Sequence, residues 1–285
     1  MKFGKIFSFS IKYFFKEYLG LILKRDDTKH ELPWSLTFKD MLRIYLAPRY
    51  TKTSVKLFGF NIKMVDPPSF QFLWEEIFER QIYKFECSKS KPYIIDCGAN
   101  IGLSVIYFKK LYPEAEIIAF EPDPEIFEVL CNNIAAFHYN DIQLMKKAVW
   151  SEETKLFFIP DGSDGGRIDE DGNSLSRCEV ETVRLRDYLK RQVDFLKIDI
   201  EGAEIKVLQD CSDLLLNVER LFVEYHSFIK KDQNLDILLR IISDANFRYY
   251  ISHVGIESPH PAAQVININR IDNQLNIYAY RNNEE

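Results

Sequence analysis

Two segments of the chain combine carboxylates with glycines in a pattern that suits cofactor binding. In Tyr93–Ser104 an apolar run contains Asp96 near its end and leads through Gly98 and Gly102 into a helical pattern. Glycine adopts backbone angles that other residues avoid, and a turn without side chains lets a ligand approach the main chain. A second apolar run ends in Glu121, at the position where the acid of a nucleotide-binding βαβ unit binds ribose hydroxyls. The pair predicts a site for a nucleoside-containing cofactor.

The spacing within the turn favours a methyl donor over a dinucleotide. A dinucleotide turn usually reads G-x-G-x-x-G, whereas this one reads Asp-x-Gly-x-Asn-x-Gly, with Asn100 between the glycines. A carboxylate at Asp96 repels a pyrophosphate but attracts the ammonium of S-adenosylmethionine. We therefore expect S-adenosylmethionine as the cofactor.

A third apolar run ends in Asp199 and Glu201. Ligands of open α/β sheets bind outside the carboxyl ends of the strands, so these carboxylates should face the same crevice as Asp96 and Glu121. Converging carboxylates repel one another unless cations or hydrogen-bond donors lie nearby, which favours a functional role. Lys197 could offset part of this charge.

These motifs resemble the FkbM family of S-adenosylmethionine-dependent methyltransferases. The resemblance is carried by Ile95–Gly102, Phe120–Pro122 and Leu196–Glu204, and it extends from about Val55 to Tyr280. It implies the class I methyltransferase fold and transfer of a methyl group to an oxygen, commonly a hydroxyl of a sugar or natural product. It does not fix the acceptor.

The resemblance also completes the expected cofactor site. Many enzymes of this fold place an acid after the third strand to bind the adenine amine, but this chain has Lys147 and Ala148 there, so Asp141 is the substitute we expect. The predicted cofactor-binding residues are Asp96, Gly98, Asn100, Gly102, Glu121, Asp141 and Asp199.

Methyl transfer to an alcohol requires a group that removes the hydroxyl proton. His226 follows the apolar run 221–225 at the predicted crevice, and the unperturbed pKa of histidine, near 6.5, suits this role. Asp199 is the alternative, either as the base or as a group that orients the methionine end. Together with Glu201 and Glu224 these residues could bind magnesium or manganese, but alternation along a strand does not fix distances between strands, so no metal ligand is assigned.

A polar segment at residues 159–174 interrupts the alternation of strands and helices, between strand-like 155–159 and 178–183. Its glycines suit either a lid that closes over the acceptor or a solvated turn. Arg167 could bind an acidic sugar or phosphate group. We predict Arg167 and Glu201 as substrate-binding residues.

The pattern from Tyr93 onward predicts an α/β fold: a mainly parallel, seven-stranded class I methyltransferase sheet with helices on both faces. The final strand is expected to be antiparallel, as in that fold. The expected strands lie near residues 93–96, 116–120, 142–149, 194–199, 220–226, 247–252 and 275–280.

We place the methyltransferase domain at residues 87–285 and an N-terminal extension at residues 1–86. The extension should contain a short helix over 36–46 and a hairpin over 54–64 that turns near Gly59. A further helix over 70–83 should be capped by Ser69.

Residues 1–25 are basic and rich in aromatic side chains, which suits either peripheral contact with an anionic membrane or packing on the domain or a partner subunit. Lys12 and Lys16 interrupt every apolar run in this segment before it reaches the length of a membrane span, and no signal peptide is expected.

Composition narrows the class of protein further. The chain has 285 residues, and 46% of them are hydrophobic, enough for a substantial core. A formal charge of −6 argues against general nucleic-acid binding. Five cysteines without C-x-x-C spacing argue against a zinc site or disulfide framework and favour the cytoplasm.

We therefore predict an S-adenosylmethionine-dependent O-methyltransferase that acts on a glycan or related hydroxylated metabolite, in the cytoplasm or at the inner face of the membrane. A homo-oligomer is compatible with the sequence. Two alternatives stay open. One is a methyltransferase-like scaffold that binds without turnover, and the other is a nicotinamide-dependent enzyme, whose pyrophosphate would have to lie next to Asp96.

Overall fold

The computed structural model describes residues 36–169, 172, 174–229, 231–255, 258–267 and 271–281. Phe38–Glu285 form one compact unit. The basic segment at residues 1–25 lies outside the described residues. Among the residues that are described, no helix is long and apolar enough to cross a bilayer.

Six α-helices and thirteen strands are described in this part of the chain. The helices are α1 (Phe38–Leu46), α2 (Pro67–Trp74), α3 (Leu103–Leu111), α4 (Pro124–Ala136), α5 (Glu204–Asp210) and α6 (Leu235–Asp244). The strands are β1 (Thr53–Leu57), β2 (Phe60–Met64), β3 (Tyr93–Cys97), β4 (Glu116–Phe120), β5 (Ile142–Met145), β6 (Ala148–Trp150), β7 (Lys155–Ile159), β8 (Arg167–Ile168), β9 (Cys178–Arg184), β10 (Phe195–Ile198), β11 (Arg220–Phe228), β12 (Arg248–His253) and β13 (Ile271–Tyr280).

The main sheet has seven strands in the order β12, β13, β11, β10, β3, β4, β5. The five strands from β11 to β5 run parallel, whereas β13 is antiparallel to both of its neighbours. The central strands are near-continuous apolar runs because both faces of the sheet are covered, and Ile95, Leu196 and Ile198 have no exposed surface. The predicted mainly parallel sheet with an antiparallel last strand is confirmed.

Helices cover both faces of this sheet. On one face, Val207 of α5 and Leu238 of α6 join the core formed by alternate strand residues such as Leu196. On the other face, Phe108 of α3 packs against Phe195, with ring centroids 5.3 Å apart. The chain reversals after β3, β4 and β10 therefore meet at one edge of the sheet, where a ligand can bind.

A second sheet of four strands, in the order β6, β9, β7, β8, lies outside the predicted pattern. The single strand predicted over residues 142–149 is wrong, because this segment divides between the two sheets. Met145 pairs with Phe120, the last residue of β4, so the main sheet offers no partner beyond that point. Ala148 instead begins a new strand that pairs with Thr182 of β9.

The region before β3 contains the predicted hairpin, formed by β1 and β2. The next helix begins earlier than predicted, because Asp66 rather than Ser69 is its cap, and the Asp66 carboxylate accepts a hydrogen bond from the Ser69 amide. The helix also changes into a π-helical turn at Glu75–Glu79 instead of continuing to residue 83. Asn133 of α4 exchanges hydrogen bonds with the backbone of Lys63, so the hairpin packs directly on α4. The boundary at residues 86 and 87 stays a prediction.

Candidate active site

The turn between β3 and α3 forms the floor of a cleft at the carboxyl edge of the sheet. Gly98 and Ala99 donate backbone hydrogen bonds to the carbonyl of Phe120, which ties the turn to the end of β4. Gly98 has a φ of 94°, and a Cβ atom there would lie 1.9 Å from the carbonyl oxygen of Asp199. Only glycine allows this turn to lie against the end of β10. Gly98 is therefore required where the ends of β3, β4 and β10 come together.

Glu121 is held by the same turn. Its two carboxylate oxygens accept hydrogen bonds from the amides of Asn100, at 3.0 Å, and Asp123, at 2.9 Å. The residue is 7% exposed, and burial raises its pKa to about 8. A carboxylate fixed in this way at the end of the second parallel strand is placed to accept hydrogen bonds from a ribose.

Asp96 is not at the surface of the cleft, which corrects the expected direct contact with the cofactor ammonium. It has no exposed surface, accepts a hydrogen bond from Ser104 and pairs with the Lys197 ammonium at 3.2 Å. Lys197 also lies 3.3 Å from Asp199 and donates to the Gly98 carbonyl at 2.7 Å. Although burial alone would lower the pKa of Lys197, these two carboxylates raise it. Asp96 therefore fixes Lys197 and the turn from behind.

The turn after β10 presents two carboxylates toward the cleft. Asp199 and Glu201 both line it, and Glu201 adopts a positive φ of 57° just before Gly202. The buried Glu204 stabilises this turn, because its carboxylate accepts hydrogen bonds from the amides of Ile200 and Gly202. Residues held in sparsely populated backbone regions are often found at functional sites.

His226 lies behind these carboxylates on β11, and its side chain has no exposed surface. Its Nδ1 is 3.2 Å from Glu204, and its Nε2 is 3.5 Å from Glu201 and 3.6 Å from Glu224. A carboxylate can only accept a hydrogen bond, so the contact with Glu204 places the proton on Nδ1 and leaves Nε2 directed at the other acids. Burial would lower the pKa of His226, but Glu201 and Glu204 raise it well above 6.5.

Burial likewise raises the pKa values of Glu201 and Glu224, with a further contribution from Asp199. One atom each of Asp199, Glu224 and His226 lies within 4.8 Å of the other two. These three side chains thus lie together in the structure, and the distances between their polar atoms, which the sequence did not fix, are short.

Glu76 is a further residue of the site, and the sequence patterns did not predict it. The π-helical turn buries it against the same cluster, where it is 5% exposed. Burial raises its pKa to about 8, and Glu224 and Asp199 contribute in the same direction. The signal in the sequence was weak, because Glu76 sits in a stretch that reads as an ordinary helix. Glu204 ends the motif Leu196–Glu204, and its type and position there do not predict its contact with His226.

The cleft adjoins a second groove. Asp161, Asp164 and Glu201 line both spaces. The cleft is lined by the turn residues Gly98 and Asn100, whereas the groove is lined by aromatic and polar side chains from several elements. The groove residues include Arg49, Tyr50, Phe72, Arg167, Phe228, His253 and Gln274.

The polar segment predicted as either a lid or a solvated turn lines both of these spaces through Asp161 and Asp164. Asn100 donates to the carbonyl of Ser163 at 3.1 Å, and Ser69 donates to Asp164 at 3.0 Å. Arg167 lies in the short strand β8 with its guanidinium 5.6 Å from the Phe228 ring centroid, so it faces the groove and not the cleft. Movement of this segment stays a prediction.

Asp141 does not line the cleft, and this corrects its expected role at the adenine. It directly precedes β5 and so lies at the opposite end of the parallel sheet, where it pairs with Lys91 at 3.1 Å. A side chain at the amino end of a parallel strand cannot reach a ligand at the carboxyl end. Lys147 and Ala148 line the cleft instead.

The family model and the curated relatives described below are methyltransferases. The model of the methyltransferase FkbM domain matches residues 96–249. The methyltransferase sdnD of Sordaria araneosa is 31% identical over 175 residues, covering 49% of this chain and 68% of that protein. The 2-O-methyltransferase NoeI of Sinorhizobium fredii is 27% identical over 158 residues, covering 48% of this chain and 64% of that protein. A solved methyltransferase FkbM from Methylobacillus flagellatus aligns with a TM-score of 0.47 at 18% identity, covering 69% of this chain and 45% of that one.

Proposed function

Since the chain belongs to the FkbM family of S-adenosylmethionine-dependent methyltransferases, we propose that it transfers the methyl group to a hydroxyl oxygen of a glycan or a related hydroxylated metabolite. The observation that carries this proposal is the continuity of the cofactor cleft with a groove that is lined by aromatic and hydrogen-bonding side chains. The similarity to NoeI, a 2-O-methyltransferase, supports transfer to oxygen.

In this proposal the cofactor lies over the turn after β3. Glu121 accepts hydrogen bonds from the ribose hydroxyls, while Gly98, Asn100 and Gly102 leave the main chain open to close approach. Asp199 faces the methionine end from the next strand. The carboxylates that line the cleft match the positive charge of the sulfonium and the ammonium.

The acceptor occupies the adjoining groove, with Glu201 where the two spaces meet and Arg167 farther along. Tyr50 and Phe72 offer exposed aromatic faces there, at 60% and 36% exposure. Aromatic faces with nearby carboxylates and amides suit a sugar ring, which has apolar C–H faces and a rim of hydroxyls. A neutral polyol fits this lining better than a large apolar ligand.

Asp199 and His226 are the proposed catalytic residues. Methyl transfer is an in-line displacement at a carbon already activated by the sulfonium, so the protein must mainly align the acceptor oxygen and remove its proton. Asp199 lines the cleft, and His226 lies directly behind it with Nε2 directed toward Glu201. His226 can take the proton at Nε2 only after losing its own, because Glu201 and Glu204 raise its pKa well above 6.5.

Calorimetric titration of S-adenosylhomocysteine, followed by a methyl-transfer screen against a panel of mono- and oligosaccharides, tests this function. The Glu121→Ala variant should lose affinity for the cofactor product, and the matched Asp141→Asn variant, at the far end of the sheet, should keep it. Transfer of a labelled methyl group to a sugar hydroxyl would support the acceptor class. Cofactor binding with transfer only to non-hydroxyl acceptors would refute it.

A further inference from the structure

We propose that Asp199, Glu224 and His226 form a binding site for one divalent cation of the magnesium or manganese type, buried beneath the cofactor cleft, which Asp199 lines. The inference rests on the proposed function and deepens it, because it assigns a means of activating the acceptor hydroxyl.

The spacing of the three side chains fits such an ion. Their potential ligand atoms all lie within 4.8 Å of one another, and His226 Nε2 lies 3.6 Å from Glu224. Ligands on opposite sides of a magnesium ion are separated by about 4.2 Å, because each bond is about 2.1 Å long. Side-chain shifts of less than about 1 Å would therefore close the site.

The histidine is already oriented as metal-binding histidines usually are. A ligating imidazole typically donates its other N–H to a carboxylate, which fixes the tautomer and the ring orientation. Glu204 has this relation to His226, at 3.2 Å from Nδ1, and is itself held by two backbone amides. Gln274 donates to Glu224, and its amide nitrogen lies 3.3 Å from Nε2, so this amide must turn aside when a cation binds.

An independent sign of a missing positive partner is the buried carbonyl oxygen of Asn276. This residue is 3% exposed, and its Oδ1 has no hydrogen-bond partner. Asn276 is the cross-strand partner of Glu224, so both side chains project from the same face of the sheet, toward the cluster. An unpaired buried acceptor is costly, whereas an amide oxygen is a suitable ligand for these cations.

The charge balance favours the same conclusion. Two further acidic side chains lie beside Asp199 and Glu224: Glu76 is 5% exposed, and an oxygen of Glu201 lies 3.5 Å from His226 Nε2. Lys197 lies 3.3 Å from an oxygen of Asp199 and is shared with the deeply buried Asp96, at 3.2 Å. Buried carboxylates need a compensating cation, and a divalent ion between Glu224 and Asp199 would supply it.

A bound cation would acidify the acceptor hydroxyl that coordinates it. The hydroxyl proton would pass to Glu201, the oxygen would form the new bond to the methyl carbon, and the electron pair of the breaking carbon–sulfur bond would stay on the sulfur. With the cation in place, His226 holds the ion and does not accept the proton itself, which is where this inference departs from direct base catalysis.

Manganese binding to the metal-stripped protein tests the proposal without relying on turnover. The full chain is saturated with S-adenosylhomocysteine and titrated with MnCl₂, and free Mn²⁺ is followed by electron paramagnetic resonance. We expect one Mn²⁺ per chain, displaced by Mg²⁺. The variants Glu224→Gln and His226→Ala should bind it at least about tenfold more weakly, and Glu204→Gln about tenfold more weakly. Glu179→Gln, an exposed carboxylate on β9, is the matched control and should bind Mn²⁺ as the wild type does.

Each outcome separates this inference from the proposed function. Binding of S-adenosylhomocysteine without saturable Mn²⁺ binding would overturn the metal site and leave the methyltransferase function standing. Equal Mn²⁺ binding by the wild type and the Glu224→Gln variant would also overturn it, since the ion would then bind elsewhere. Failure to bind S-adenosylhomocysteine in the wild type would refute the proposed function itself.

Discussion

Replacing Gly98 with alanine perturbs the point at which three strands meet. The new Cβ would lie 1.9 Å from the carbonyl oxygen of Asp199, whereas real Cβ atoms do not approach closer than 3.0 Å, so the two segments must separate by at least 1.1 Å. The obstacle is backbone and not the end of a flexible side chain. The separation would break the hydrogen bond from the Asp199 amide to the Cys97 carbonyl, which is 3.1 Å long.

The expected cost follows from these changes. A non-glycine residue at a positive φ costs about 1–2 kcal/mol. The lost backbone hydrogen bond, and the weakened bond from Lys197 to the Gly98 carbonyl, add about 1 kcal/mol each. We therefore expect Gly98→Ala to lower the free energy of unfolding by about 3–4 kcal/mol, a large part of the roughly 5–15 kcal/mol of a typical domain.

Gly59→Ala is the matched control. Gly59 has a φ of 85°, close to the 94° of Gly98, but a Cβ there would meet no atom within 4 Å. It isolates the backbone strain, so its cost should stay near 1–2 kcal/mol. Urea denaturation of both variants, followed by circular dichroism, gives the two free energies, and calorimetry gives the affinity for S-adenosylhomocysteine. Equal destabilisation by the two substitutions, with cofactor binding retained in Gly98→Ala, would refute the contact between the turn and β10.

Three further predictions concern the charged groups of the site. The raised pKa of Glu121, about 8, keeps its side chain protonated at lower pH, whereas the ionised carboxylate is the form that accepts hydrogen bonds from the ribose. The Kd for S-adenosylhomocysteine should therefore fall about tenfold per pH unit between pH 6 and 8 and level off above pH 8. Calorimetry should find no such dependence in Glu121→Gln, and a pH-independent wild type would contradict the assignment. Lys197→Met leaves Asp96 buried without its ion pair and should lower the free energy of unfolding by about 3–5 kcal/mol. Adding Asp96→Asn should restore part of that loss in urea denaturation, and a double variant as unstable as the single one would argue against the pair. His226→Ala should lower kcat at least about 100-fold while the Kd for S-adenosylhomocysteine is unchanged, and near-normal turnover would exclude a catalytic role.

The sequence predicted the elements that depend on local pattern. The apolar run 93–97 and the glycines of the following turn specify a strand and a chain reversal within a short stretch of chain, and the structure has both, with Glu121 directly after β4. The ribose contact of Glu121 stays a prediction. The hairpin around Gly59 was likewise predictable, because its alternation and its turn residue lie next to each other. The long strand over 142–149 failed because the pairing of Ala148 with β9 depends on a distant segment.

The candidate site likewise has features that the sequence predicted and features that only the packing of the elements determines. The sequence placed Asp199, Glu201, Glu224 and His226 at one edge of the sheet, because parallel strands direct their carboxyl ends to the same side. It could not determine that Asp96 turns inward to Lys197, or that Asp141 lies at the far end of β5. Nor could it show that the π-helical turn brings Glu76 into the cluster, since that contact depends on how a helix docks on the sheet.

What the sequence by itself determined is therefore the α/β fold, the cofactor-binding turn and the group of residues at its edge. These follow from periodicity and backbone freedom, which act over a few residues. The tertiary structure alone decided which carboxylates face the cleft, which are neutralised behind it, and that Glu204 fixes the ring of His226. Distances of 3 to 4 Å between side chains on different elements are set by the packing of the whole core, and no local pattern in the chain encodes them.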